Sequence, residues 1–136
     1  MEASSTQHTR ALIVSLDGCA PEYLEKSNIP NMKTFPTQGS YTIGDAIVPA
    51  VTNVNNVSMI TGLYPEIHGV TSNCYYDRKK KCEVYMESAY AIRAKTVFEE
   101  LHQRGLRTAL LSTKDKLCTL LNRGADIVFS AENPPQ

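Results

Sequence analysis

Between Ala94 and Ser130 the chain alternates twice between helical and strand periodicity, and that alternation restricts the fold more than any other feature. Ala94, Val97, Phe98 and Leu101 recur at helical spacing, with Glu99, Glu100, Gln103 and Arg104 opposite and Gly105 as the stop. TALLS (108–112) then reads as a strand, Leu117 to Asn122 as a short helix, and ADIVFS (125–130) as a second strand. Strands separated by helices run parallel, because a helical crossover returns the chain to the same end of the sheet. The expected fold class is α/β, a mainly parallel sheet flanked by helices.

The earlier part of the chain adds to this frame. Arg10 to Leu16 reads as a buried strand stopped by Asp17-Gly18, and residues 40–48 have strand composition interrupted by Gly44. A short helix is expected around Asn31 to Gln38, with Pro36 breaking or shortening it. After Pro49 a loop, VTNVNN, is expected, then a helical turn or two through Ser58, Met59 and Ile60; Gly62 takes the C′ place and Pro65 forbids continuation. NCYYDRKKKCEVY has the flanks of a β-hairpin, inserted near 73–86, with a charged tip at Asp77 to Lys81. Three lysines at such a tip read as a solvated turn before they read as a binding patch.

Fourteen Lys+Arg balance fourteen Asp+Glu, so the formal charge is zero, which argues against a nucleic-acid partner. The longest clean apolar run, ALIVSL, is six residues, far short of a membrane span, and MEASSTQHTR lacks a secretory apolar region. A cytoplasmic chain with no membrane partner is expected. Cys19, Cys74, Cys82 and Cys118 form no CxxC, so reduced thiols are expected; a disulfide between Cys74 and Cys82 across the hairpin is the alternative.

Few residues are placed for chemistry. In parallel sheets reactive groups gather at the carboxyl ends of strands, where Asp17 stands, although Asp-Gly is equally a common turn pair. A hydroxyl at Thr52 lies at the start of a helix, near free N–H groups and the positive end of the dipole. An ordinary N-cap explains the same residue, and a Thr nucleophile needs a base or a metal. Lys114-Asp115-Lys116 reads alone as a solvated loop after a strand. His68 reads as structural, and His102 lies on the polar side of its helix.

ALIVSLDG, followed by VPAVTNVNNVSMITGLYPEIHGVTSNCYYD, resembles the alkaline-phosphatase superfamily. Within it the string is closest to the nucleotide pyrophosphatase/phosphodiesterase and phosphonoacetate hydrolase branch. TNVNN, and STKDKL with two lysines straddling an acid, resemble the phosphonoacetate hydrolases in particular. The resemblance runs from about Ala11 to Pro135 and covers about the first third of such an enzyme. Residues 11–136 are therefore expected to be the N-terminal portion of an alkaline-phosphatase-like hydrolase domain, after a disordered tail over 1–10.

The resemblance implies roles residue by residue. Asp17 matches the first acidic metal ligand, and Thr52 the nucleophile that shares that metal. Asn73 matches the amide that hydrogen-bonds a phosphonate oxygen, and Lys114 and Lys116 the pair holding the substrate carboxylate. It also implies zinc, two ions in the complete enzyme, a small phosphonate as substrate, and a candidate homodimer. The implied reaction is hydrolysis of the carbon–phosphorus bond of phosphonoacetate to acetate and phosphate. Its carbanion needs stabilising: the carboxylate spreads the charge as an enolate, and two ammonium groups act where charge develops. Two zinc ions about 4 Å apart would bind phosphonate oxygens and lower the Thr hydroxyl's pKa.

The family's remaining zinc ligands, an Asp-x-x-x-His motif, an Asp-His pair and a distant His, have no match among His8, His68 and His102. Zinc needs several simultaneous ligands, so the chain is expected to be a fragment, inactive alone. A nucleotide pyrophosphatase/phosphodiesterase-like phosphoester hydrolase is the second expectation, although Asn53 stands where that reading wants an aromatic. A non-catalytic truncated product is the third.

Overall fold

The computed structural model describes residues 10–134. The chain divides into two compact units, residues 1–44 and 45–136. All but the last residue of the expected tail lies outside the described residues.

In the first unit, residues 10–16 form no strand and belong to neither sheet. Leu12 is 86% exposed and Ile13 71%, which corrects the expectation of a buried strand. An apolar run becomes a strand only when a neighbour accepts its hydrogen bonds, and no described strand does so. Asp17 and Gly18 form a turn, with Gly18 at φ +71° and the Cys19 N–H donating to Leu16 O. Helix α1 (Pro21–Lys26) follows, opened by its proline. A 3-10 turn (Met32–Thr34) leads into α2 (Phe35–Gln38). Pro36 lies in the first turn of α2, where its missing N–H costs nothing, so it starts this helix where a break was expected. Residues 40–48 likewise form no strand.

The second unit contains α3 (Thr52–Thr61), α4 (Pro65–His68), β1 (Cys74–Asp77), β2 (Cys82–Tyr85), α5 (Val97–Gln103), β3 (Ala109–Ser112), α6 (Asp115–Leu121) and β4 (Ile127–Ser130). β3 and β4 pair in parallel, Ala109 opposite Ile127 and Ser112 opposite Ser130, with α6 as the crossover. β1 and β2 form the expected antiparallel hairpin. Its register sets Cys74 opposite Tyr85 and Asp77 opposite Cys82, so the two cysteines stand at opposite ends and all four thiols are free. The core joins Val57 and Ile60 of α3 to Val70, Ile92, and Leu120 and Leu121 of α6.

Helix α5 begins later than the apolar spacing predicts. Thr96 is its N-cap: its hydroxyl accepts the Glu99 N–H at 3.1 Å, and Glu99 Oε2 accepts the Thr96 N–H at 2.8 Å. The same carboxylate takes Arg123 Nε at 3.0 Å, and the guanidinium also donates to Ile92 O and Ala94 O. Burial pushes Glu99 upward, but the Thr96 N–H and Arg123 outweigh it and its carboxyl ends below the usual range. Gly124 closes this corner at φ +86°, where a Cβ would stand 2.5 Å from the Glu99 backbone nitrogen.

Candidate functional site

The N-terminus of α3 is built almost entirely by asparagines. Thr52 is the first helical residue and is half-buried; Val51, in extended conformation, occupies the N-cap. Thr52 is therefore not the cap that the alternative reading made it, and residues 52–56, expected as a loop, are helical because their asparagines bond the backbone around the helix start. Asn55 holds the incoming loop, its Oδ1 accepting the Ile47 N–H at 3.0 Å and its Nδ2 donating to Val51 O at 3.2 Å. Asn56 Nδ2 donates to Thr52 O at 2.9 Å. Asn53 is buried and donates Nδ2 to Met86 O at 2.9 Å, which ties the helix to the end of the hairpin.

Asn73 completes this arrangement from the other side. Its Oδ1 accepts the Asn53 N–H at 2.9 Å, and its own carbonyl accepts the Met86 N–H at 2.8 Å. Only oxygen can accept from an N–H, so the bond fixes which way the amide faces. The end that remains, Nδ2, is a donor on an amide anchored to the residue after Thr52. A donor is what an anionic oxygen beside this helix end requires, and the helix dipole acts in the same direction.

The two lysines are held differently. Lys114 is exposed at the N-cap of α6, its N–H donating to Ser112 Oγ at 3.1 Å. Lys116 is half-buried, with Nζ 4.6 Å from the centroid of the Tyr85 ring. Tyr85 pairs with Cys74, the residue after Asn73, so contacts run from Thr52 through Asn53, Asn73 and the hairpin to Lys116. These contacts tie the residue after Thr52 to Asn73 and to the hairpin whose Tyr85 meets Lys116, and Lys114 enters none of them. The Cys74 thiol is raised, first by its hydrogen bond to Glu83 and then by burial, so it is a poor nucleophile at neutral pH.

Asp17 is exposed in its turn in the first unit, away in sequence from every residue just described. Among the described residues no group of three or more His, Cys, Asp or Glu side chains could hold a metal ion. Asp17 and Thr52 supply two of the donors that zinc takes, which does not make a zinc site. His68 is fully buried between α3 and the following loop. Its Nδ1 accepts the Val70 N–H at 3.1 Å, so Nε2 carries the proton and donates to Ser58 Oγ at 2.9 Å; that hydroxyl donates onward to Val54 O. His102, on the surface, meets Asp126 Oδ1 at 3.0 Å. Two participants escaped the sequence reading. Tyr85 gave no signal, since its partner lies on a remote helix, whereas the Thr96-x-x-Glu99 spacing was visible and was overrun by the apolar periodicity starting at Ala94.

A family model for type I phosphodiesterase / nucleotide pyrophosphatase matches residues 11–130. Ectonucleotide pyrophosphatase/phosphodiesterase family member 1 of Rattus norvegicus is 34% identical over 97 residues, 69% of this chain and 10% of that protein. Human bis(5'-adenosyl)-triphosphatase ENPP4 is 33% identical over 87 residues, 59% of this chain and 18% of its own length. Among solved structures, phosphonoacetate hydrolase from Sinorhizobium meliloti 1021 in complex with phosphonoformate superposes with a TM-score of 0.77 at 34% identity, covering 85% of this chain and 30% of that one. The same enzyme in complex with phosphonoacetate gives a TM-score of 0.73 over 79% of this chain. The chain thus spans less than a third of each of these proteins. No helix among the described residues is long and apolar enough to cross a membrane.

Proposed function

Because the chain belongs to the type I phosphodiesterase/nucleotide pyrophosphatase family of hydrolases, we propose that it carries the nucleophile-bearing part of an enzyme that cleaves the carbon–phosphorus bond of phosphonoacetate. The observation that carries this reading is the Asn73–Asn53 hydrogen bond, which commits the amide oxygen to the start of α3 and leaves Nδ2 as the end to donate to a ligand oxygen. The superposition on phosphonoacetate hydrolase supports it as well.

In the proposed reaction Thr52 Oγ gives up its proton to solvent and attacks phosphorus, and the carbon–phosphorus bond breaks. The electron pair passes to the methylene carbon and into the carboxylate as an enolate, which takes a proton from water to give acetate. Water then hydrolyses the phosphothreonine to phosphate. Asn73 Nδ2 donates to a phosphonate oxygen, while Lys114 and Lys116 hold the carboxylate and stabilise charge that grows on it during bond breaking. Zinc is the metal implied by the family resemblance, but its ligand set is not met by the described residues. The chemistry assignable to this chain is that of its own side chains.

The identity to nucleotide pyrophosphatases favours a second reading, in which a phosphoester replaces the phosphonate. That reading leaves the lysines without a carboxylate to hold, and Asn53 is buried against Met86 O with no aromatic face to offer. On the leading reading the enzyme works in the cytoplasm, in keeping with four free thiols. The deciding experiment gives the protein that contains this chain phosphonoacetate, an aryl phosphate and a nucleotide diester in parallel. Release of acetate and phosphate from the first is expected. Turnover confined to the esters overturns the assignment.

A further inference from the structure

We propose that Tyr85 is the positioning residue for Lys116, fixing where the carboxylate-binding cation stands relative to Thr52; the inference rests on the phosphonoacetate assignment. Lys116 Nζ lies 4.6 Å from the Tyr85 ring centroid. The negative face of an aromatic ring attracts an ammonium without occupying any one N–H, so the three donors stay available to a ligand. An ion pair would hold the same group but would neutralise it in advance. Among the described residues no carboxylate forms an ion pair with Lys116.

The ring is itself referenced to the helix bearing Thr52. Met86, the next residue, accepts from Asn53 Nδ2 at 2.9 Å and donates its N–H to Asn73 O at 2.8 Å, while Asn73 Oδ1 takes the Asn53 N–H at 2.9 Å. These three bonds close the base of the hairpin against the start of α3. A lysine free in solvent would lose rotamer entropy on gripping a carboxylate, and the ring removes part of that loss beforehand.

The test is side-chain NMR of lysine together with titration by phosphonoacetate and by methylphosphonate, which lacks the carboxylate, in wild type, Tyr85→Phe and Tyr85→Leu. The Lys116 ε-methylene is expected to be shifted by the ring current in wild type and Tyr85→Phe, and to return to the free-lysine position in Tyr85→Leu. Tyr85→Leu should weaken phosphonoacetate binding about tenfold and leave methylphosphonate binding unchanged, with Tyr85→Phe close to wild type. Equal affinity in Tyr85→Leu and wild type overturns the inference, as does an equal loss for both ligands, which marks a merely structural tyrosine. A wild type that does not bind phosphonoacetate, with the ring-current shift present, overturns the substrate assignment and the inference with it. The backbone amide spectrum reports whether each variant is folded.

Discussion

Asn73 Oδ1 accepts the backbone N–H of Asn53 at 2.9 Å across twenty residues of sequence. One amide thereby satisfies a donor of the first helical turn, and its Nδ2 is the donor that the proposed site uses. The two tasks separate by substitution. Asn73→Ala removes both and leaves a partly buried N–H without its partner, a destabilisation of about 1–3 kcal/mol in a urea titration. Asn73→Asp keeps the acceptor oxygen, so its unfolding midpoint should stay near wild type, but it has no donor and repels an anion. Its affinity for phosphonoacetate is expected to fall at least about tenfold, since a charge-assisted hydrogen bond is lost. A stable Asn73→Asp that binds normally would remove the amide from the site.

Lys114 is exposed at the start of α6 and contributes little to the packing of the fold. On the proposed chemistry Lys114→Ala should slow phosphonoacetate turnover about a hundredfold, the scale for deleting one preorganised donor. Aryl phosphate turnover should change far less, because that substrate offers no carboxylate. Parallel kinetics on the two substrates check this, and similar losses on both would count against the clamp.

His68 is fully buried, and that burial holds its pKa below the ordinary 6.5 despite an opposing backbone contribution. A proton on Nδ1 would also break the bond from the Val70 N–H. In the window between the lowered folded value and 6.5 the unfolded chain binds the extra proton, so stability falls as pH drops through it. Below the folded value both states are protonated and this loss stops growing. Urea midpoints measured from pH 7 downward should show the decline in wild type. They should lose that component in His68→Gln, which does not titrate.

Two glycines with positive φ make a matched pair. At Gly124 a Cβ would meet the Glu99 backbone at 2.5–2.7 Å, whereas at Gly62 nothing lies within 4 Å. Gly62→Ala should cost about 1 kcal/mol, the strain of a left-handed residue alone. Gly124→Ala should cost at least about 2 kcal/mol more, because the backbone of α5 must move. Thermal or chemical denaturation of both variants reads the difference directly.

The alternation from Ala94 to Ser130 was legible because each period reports a neighbouring contact: β3, α6 and β4 all form in the expected order, with α6 starting two residues earlier, at Asp115, and β4 two residues later, at Ile127. Residues 10–16 failed for the opposite reason. Their composition states what they can bury and says nothing about whether a partner strand is there. Pro36 was misread because proline forbids the middle of a helix and favours its first turn, and the sequence alone did not say which turn it occupied. At the site, the place of Thr52 before a helix fitted an ordinary N-cap as well, and the roles expected of Thr52, Asn73, Lys114 and Lys116 came from family resemblance. The role of Tyr85 depends on strand register and on a contact with a helix thirty-one residues later (85 to 116), neither of which local pattern encodes.

The asparagines around Thr52 spend their side chains on backbone groups: Asn53 on Met86, Asn55 on the loop at Ile47 and Val51, Asn56 on Thr52 itself. They are masonry, and exchanging them unseats the threonine before it alters which guest is admitted. On the proposed chemistry, directed evolution toward a new phosphorus compound should therefore find its gains among the cations of α6 and the aromatic rim of the hairpin, while the stretch from 53 to 56 stays nearly silent.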